Sequence, residues 1–122
     1  MVTTDYMLEN LSKALNSESY AVPAFLVHGS TSTIINTDTS SLAGQYADVP
    51  SLTNSRSSNV VTFTGIKTGA LVSGSSGDVL WSQGVVDTSS GGVLQAGVVL
   101  PSTVQTTSFD LEAVWEFTID RV

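Results

Sequence analysis

One histidine, two acids spaced i and i+2, and four aspartates beside turns are the side chains in this 122-residue chain that could carry chemistry. His28 is the sole histidine and cysteine is absent, so a Ser-His-Asp relay would have to run through His28, and a thiolate nucleophile is excluded. No G-x-S-x-G elbow occurs. His28 closes an apolar run just before Gly29, the place of a hydrogen-bonded or solvated strand-end histidine. Asp110 and Glu112 share one side of an extended segment, as paired glycosidase carboxylates do. They also alternate with apolar residues, which makes them the solubilising outer face of a strand. Asp38, Asp48, Asp78 and Asp87 stand by turns, where calcium ligands are often supplied, yet none forms a D-x-D-x-D-G loop. Aspartate in a turn ordinarily bonds its own backbone. Tyr46, Trp81 and Trp115 offer flat rings on which a sugar could stack, but both tryptophans fall on the apolar sides of their strands, which favours core packing. "GSSG" and "SSGG" match neither a dinucleotide fingerprint nor a P-loop and suit hairpin tips. Asn10-Leu11-Ser12 is formally a glycosylation sequon, placed inside an expected helix. The expectation is no catalytic residue, no cofactor and no metal.

The elements that would hold these residues are mostly strands. From Phe109 to Asp120, "FDLEAVWEFTID", apolar side chains keep one parity through Phe109, Leu111, Ala113, Trp115, Phe117 and Ile119. Period two is the signature of a half-buried strand, here on the order of 35 Å long. The chain opens differently. Met7, Leu8, Leu11, Ala14 and Leu15 recur at three and four, Thr3 or Thr4 can cap, and Asp5 complements the helix dipole, so residues 1–16 read as a helix that must dock on something.

Between them the spacing predicts strands at Ala24–His28, Thr31–Thr37 and Asn59–Ile66. The residues about 38–59 read as a long polar loop with room for one short strand, and loops of that length often bind or assemble. "GALVSG" follows, with a turn over "SGSSGD". Val79–Val86 and Val93–Leu100 form a hairpin around "DTSSGG", with Gly91 and Gly92 free to take positive φ and Pro101 closing the second arm. Gly84 and Gly97 mark bulges or close backbone approach. Trp81 or Val79 is expected to face Trp115 or Phe117. The fold class is mainly β: an antiparallel β-sandwich or small barrel of six to seven strands, jelly-roll-like, with one short N-terminal α-helix, in a single domain over 1–122.

Composition narrows function further. Hydrophobic residues make up 41% and charged ones only 12%, so the surface is coated with neutral Ser, Thr, Asn and Gln and the chain is not of disordered type. Eleven acidic residues against Lys13, Arg56, Lys67 and Arg121 give a net charge of −7, which repels a phosphate backbone; nucleic acid is not an expected partner. No stretch approaches the ~20 apolar residues of a membrane span and no secretory signal is evident, so neither membrane insertion nor signal-led export is expected.

The order of features resembles small structural proteins of tailed viruses, variously tail-fibre, head-decoration or virion structural proteins. The matching residues are Leu8 and Leu11; Pro23-Ala24-Phe25-Leu26-Val27; Arg56 before Val60 and Phe63; Asp87 with Gly91, Leu94, Gly97 and Leu100; and Phe109 to Ile119. Thr106-Thr107-Ser108 stands where that pattern expects a glycine turn. The resemblance implies a non-enzymatic protein located in the virion, on capsid, tail or baseplate, whose partners are further copies of itself (a homo-oligomer) and other virion proteins. The N-terminal helix and the loop around Arg56 are the expected contacts. A carbohydrate or host-surface glycan binding module is the alternative, and a small hydrolase built on His28 a third.

Overall fold

A computed structural model describes residues 1–72 and 75–120. In chain order it contains β1 (Val2–Thr3), α1 (Asp5–Leu15), β2 (Phe25–Gly29), β3 (Thr53–Ser57), β4 (Val60–Lys67), a 3-10 turn (Gly69–Leu71), β5 (Asp78–Val86), β6 (Leu94–Gln105) and β7 (Leu111–Thr118). Two separate antiparallel sheets, ordered β1-β6-β5-β2 and β3-β4-β7, stack as a sandwich with α1 at one end. Part of the "SGSSGD" turn, residues 73–74, lies outside the described residues.

The helix begins where its cap dictates. Thr4 is extended, its hydroxyl accepts the Met7 amide at 3.4 Å, and Asp5 stands in the first turn. Glu9 and Lys13 pair at 3.1 Å one turn apart. Residues 2 and 3 are not helical as expected: Val2 and Thr3 pair instead with Gly97 and Ala96, adding a short edge strand to β6.

β2 explains why the larger sheet needs cover on both faces. Leu26 and Val27 are both fully buried, and neighbours on a strand point to opposite faces. Leu26 joins Phe63, Val85, Ala96, Ala113 and Trp115 between the two sheets. Val27 joins Val86 and Leu94 on the far face, roofed by Ile35 and Leu42 with Val49 beside them. The roof corrects the expected strand at Thr31–Thr37. That segment forms no strand; it turns Ile35 inward as a plug and leaves Ile34 exposed. Of the expected loop, 38–52 runs alongside β2, where the Leu26 amide bonds the Pro50 carbonyl and the Tyr46 amide the His28 carbonyl. Thr53–Ser57 is an exposed edge strand, turned into β4 at Ser58, whose φ is 55°.

The β5–β6 hairpin forms, with Gly91 at φ 67° in its loop. Pro101 does not end it. β6 continues to Gln105, and three residues, Leu100 to Ser102, stand opposite Trp81 alone. A bulge of this kind asks no ladder amide of proline. The second irregularity inserts Gln95 between the partners of Val86 and Val85, which sends Leu94 and Ala96 to opposite cores. Gly84 and Gly97 are not bulge sites; they face each other directly, where strand, Leu94 and Ile35 approach closely.

β7 keeps its expected parity but is shorter. Ala113 and Trp115 are buried and Glu112, Val114 and Glu116 exposed, over eight residues or roughly 27 Å. Phe109 and Ile119 lie beyond its ends and are exposed. Trp115 packs in the cluster of Leu26, Val85 and Ala96. Trp81 is half-buried outside both clusters and Val79 is exposed, so the expected pairing across the core is wrong. Position along the strand decides it: on β5 the residue that packs with Trp115 is Val85, four to six residues further along the same face, and Leu80, not Val79, is fully buried.

Candidate functional site

Two places gather the side chains that local pattern alone leaves unexplained. The larger is an apolar groove of about 460 Å³ between α1 and the open end of the smaller sheet. Polar bonds hold α1 to the body: Thr4 Oγ1 donates to the Leu94 carbonyl at 2.6 Å and Tyr6 Oη to Asp87 Oδ2 at 2.7 Å. Asn10 donates to the Tyr6 carbonyl and accepts the Ala21 amide at 2.6 Å. The Asp87 carboxylate it donates to, together with burial, holds the Tyr6 phenol above its ordinary range. Because these polar groups anchor the helix, its apolar stripe is left over the groove rather than in the core. Met7, Leu8, Leu11 and Ala14 form one wall and Tyr20, Val22 and Pro23 the next. Val61, Phe63 and Phe117 form the floor, the two phenylalanine rings edge to face at 5.7 Å and 78°. Glu116 is the single charged side chain in the lining. Arg56 shares a cross-strand row, and therefore a face, with Val61 and Phe117.

The second place is a polar pin between the sheets. Lys67, at the end of β4, is fully buried and its Nζ meets Asp78 Oδ2, at the start of β5, at 2.9 Å. The Tyr46 ring lies 5.4 Å from the ammonium, and Tyr46 Oη donates to the Val79 carbonyl at 3.0 Å. Burial and then the Asp78 charge push the Tyr46 phenol upward. Gln105 Nε2 donates to the Lys67 carbonyl at 2.7 Å. His28 is nearby and buried; burial first and the Lys67 charge second lower it to a pKa of about 4. Its Nε2 lies 3.1 Å from Gln83 Nε2, so Nε2 is the unprotonated acceptor and the proton sits on Nδ1, which has no partner.

The other sequence candidates scatter. Asp110 is off the strand and Oδ1 accepts the Gly69 amide at 2.8 Å, while Glu112 is solvated on β7, so the two do not form a carboxylate pair on one strand. Asp87 accepts from Tyr6 and the Val93 amide, a hairpin-loop role. Among the described residues no cluster of three or more His, Asp or Glu is placed to hold a metal ion. Trp115 is buried, so the three rings do not make one sugar platform. Asn10 is buried with its amide engaged, which closes the sequon in the folded chain.

Sequence reasoning missed Lys67 as anything but a scattered cation. The signal was there: on β4, Val61, Phe63 and Gly65 share its parity, so a lysine at 67 points inward and needs a carboxylate. Comparison of the chain with protein-family models, with curated proteins and with solved structures finds no match.

Proposed function

We propose that the protein is a non-enzymatic structural component of a tailed-virus particle, assembling as a homo-oligomer on the capsid, tail or baseplate and docking on other virion proteins. The observation that carries the association half of this reading is the groove. Leu8 and Leu11 stand exposed there above a sheet floor of Val61, Phe63 and Phe117. Exposed apolar surface of this size, rimmed by polar residues, marks interaction sites in soluble proteins. The virion half rests on the ordered resemblance and on the neutral Ser/Thr surface. The non-enzymatic part of the reading is supported by His28, whose ring bonds Gln83 rather than a carboxylate or hydroxyl. The reading is tested by mass spectrometry of purified particles together with sedimentation of the isolated chain. The chain is expected at fixed stoichiometry in particles; its absence from them overturns the reading. Removing residues 1–16 is a poor test, since Thr4 and β1 belong to the fold. Substitution of Leu8 and Leu11 by Asp is the cleaner one and should abolish incorporation.

A further inference from the structure

We infer that the groove beside α1 seats the same helix of a second copy, so that two chains join through an antiparallel α1 pair across a two-fold axis. The inference rests on the association reading above and names its partner.

The helix carries both halves of such a joint. Leu8, Leu11 and Leu15 follow at three and four, the spacing of a helix–helix seam, and Leu15 is 82% exposed. Between them stand Ser12 and Ala14, small and uncharged, which let another helix come close. The charges of α1 are already engaged or turned away: Glu9 holds Lys13, and Asp5 is at the N-terminal turn. The surface that supplies the ridge also supplies the cleft, since Leu8 and Leu11 form a wall of the groove. A two-fold interface needs this self-complementarity, with residue i meeting j and j meeting i. Centred between Leu11 and Ser12, an antiparallel pair sets Leu8 against Leu15 of the other copy and opposes the two helix dipoles.

Charge selects this patch for self-association. Two copies of a −7 chain repel over most of their surfaces, and the groove lining offers a face with Glu116 as its one charged side chain. Area is sufficient. Met1, Leu8, Leu11, Tyr20, Val22 and Ile119, all lining the groove, are between 42% and 64% exposed, together about three whole side chains. At roughly 150 Å² each, covering them removes roughly 500 Å² per copy and about 1,000 Å² in a pair, the size at which a biological interface begins.

The chain has no cysteine, so a single introduced thiol reports position without background. Sedimentation of the wild type should show a monomer–dimer equilibrium. Leu11→Cys should cross-link to a dimer on oxidation or with a short bismaleimide, while Ser55→Cys on exposed β3 should not. Leu8→Asp with Leu11→Asp should weaken dimerisation by ~100-fold while leaving the monomer cooperatively folded, because the two side chains are 56% and 42% exposed in it and belong to neither core cluster. A wild type that stays monomeric at millimolar concentration overturns the inference and assigns the groove to another protein, leaving the particle reading to its own test. Dimers that survive the double Asp variant, or that cross-link through residue 55 and not 11, overturn the helix seat while self-association stands.

Discussion

Lys67 and Asp78 meet at 2.9 Å inside the sandwich, one from each sheet, with neither side chain more than 4% exposed. Eleven positions separate them, and the chain between crosses from the smaller sheet to the larger. The ion pair therefore pins the corner at which the two sheets are joined. Removing one partner strands a buried charge, which costs about 3–5 kcal/mol. Lys67→Met and Asp78→Asn should each lower the urea-unfolding free energy by that amount. Screening is weak for a buried pair, so the loss should persist at 1 M salt. A cost below about 1 kcal/mol for both would show that the pin is idle.

His28 gives the fold an acid limit. Its folded pKa is about 4 against an ordinary 6.5, so between those values the unfolded chain binds a proton that the folded one refuses. Stability is complete above about pH 6.5 and falls as the pH drops toward 4, by about 3 kcal/mol in all. Urea midpoints from pH 7.5 to 4.5 should fall faster for the wild type than for His28→Gln, in which carboxylate titration remains but this slope is gone. Parallel curves would refute the assignment.

Gly84 tolerates no side chain. A Cβ there would collide with Leu94 Cδ1 and sit 2.8 Å from the Ala96 carbonyl oxygen, and backbone cannot give way as a side-chain tip can. Gly84→Ala should cost about 1–3 kcal/mol by thermal melting. Gly91, with nothing within 4 Å, is limited only by its φ of 67° and should lose about 1 kcal/mol on the same change. The order of the two losses is the test.

Trp115 separates size from polarity. It packs with Leu26, Phe63 and Val85, and its buried Nε1 has no hydrogen-bond partner. Trp115→Ala should cost about 3–5 kcal/mol. Trp115→Phe sheds the orphaned N–H and should cost less than about 1.5 kcal/mol. Denaturation of both variants decides it, and a phenylalanine as damaging as alanine would contradict this account of the core.

How much of this was legible depended on whether a residue's neighbours in sequence were also its neighbours in space. The helix start at Thr4 and Asp5, the alternation of β7 and the β5–β6 hairpin are local signals, and they were readable. β3 was foreseen only as room for one short strand within 38–59 and could not be placed, because Thr53–Ser57 contains no apolar residue and is a strand only by pairing with β4. Thr31–Thr37 misled in the other direction: its β-branched residues suit a strand, but Ile35 is drawn into the far core by Val27 and Leu94. The leucine wall of the groove could be read as a helical stripe, whereas its floor of Val61, Phe63 and Phe117 required knowing that β4 and β7 are adjacent. The corner pin was hidden because Lys67 and Asp78 are ordinary charges until both are seen to point inward.

The attachment of α1 also sets a timetable. Thr4 bonds the carbonyls of Leu94 and Gln95, some ninety residues downstream, and Val2 waits for Gly97. The helix therefore finds its berth only after some ninety further residues have been synthesised. Closing so large a loop is slow. Until then the helix has no native surface to dock on, which makes chaperone capture or premature meeting with another nascent chain the natural hazards of this topology.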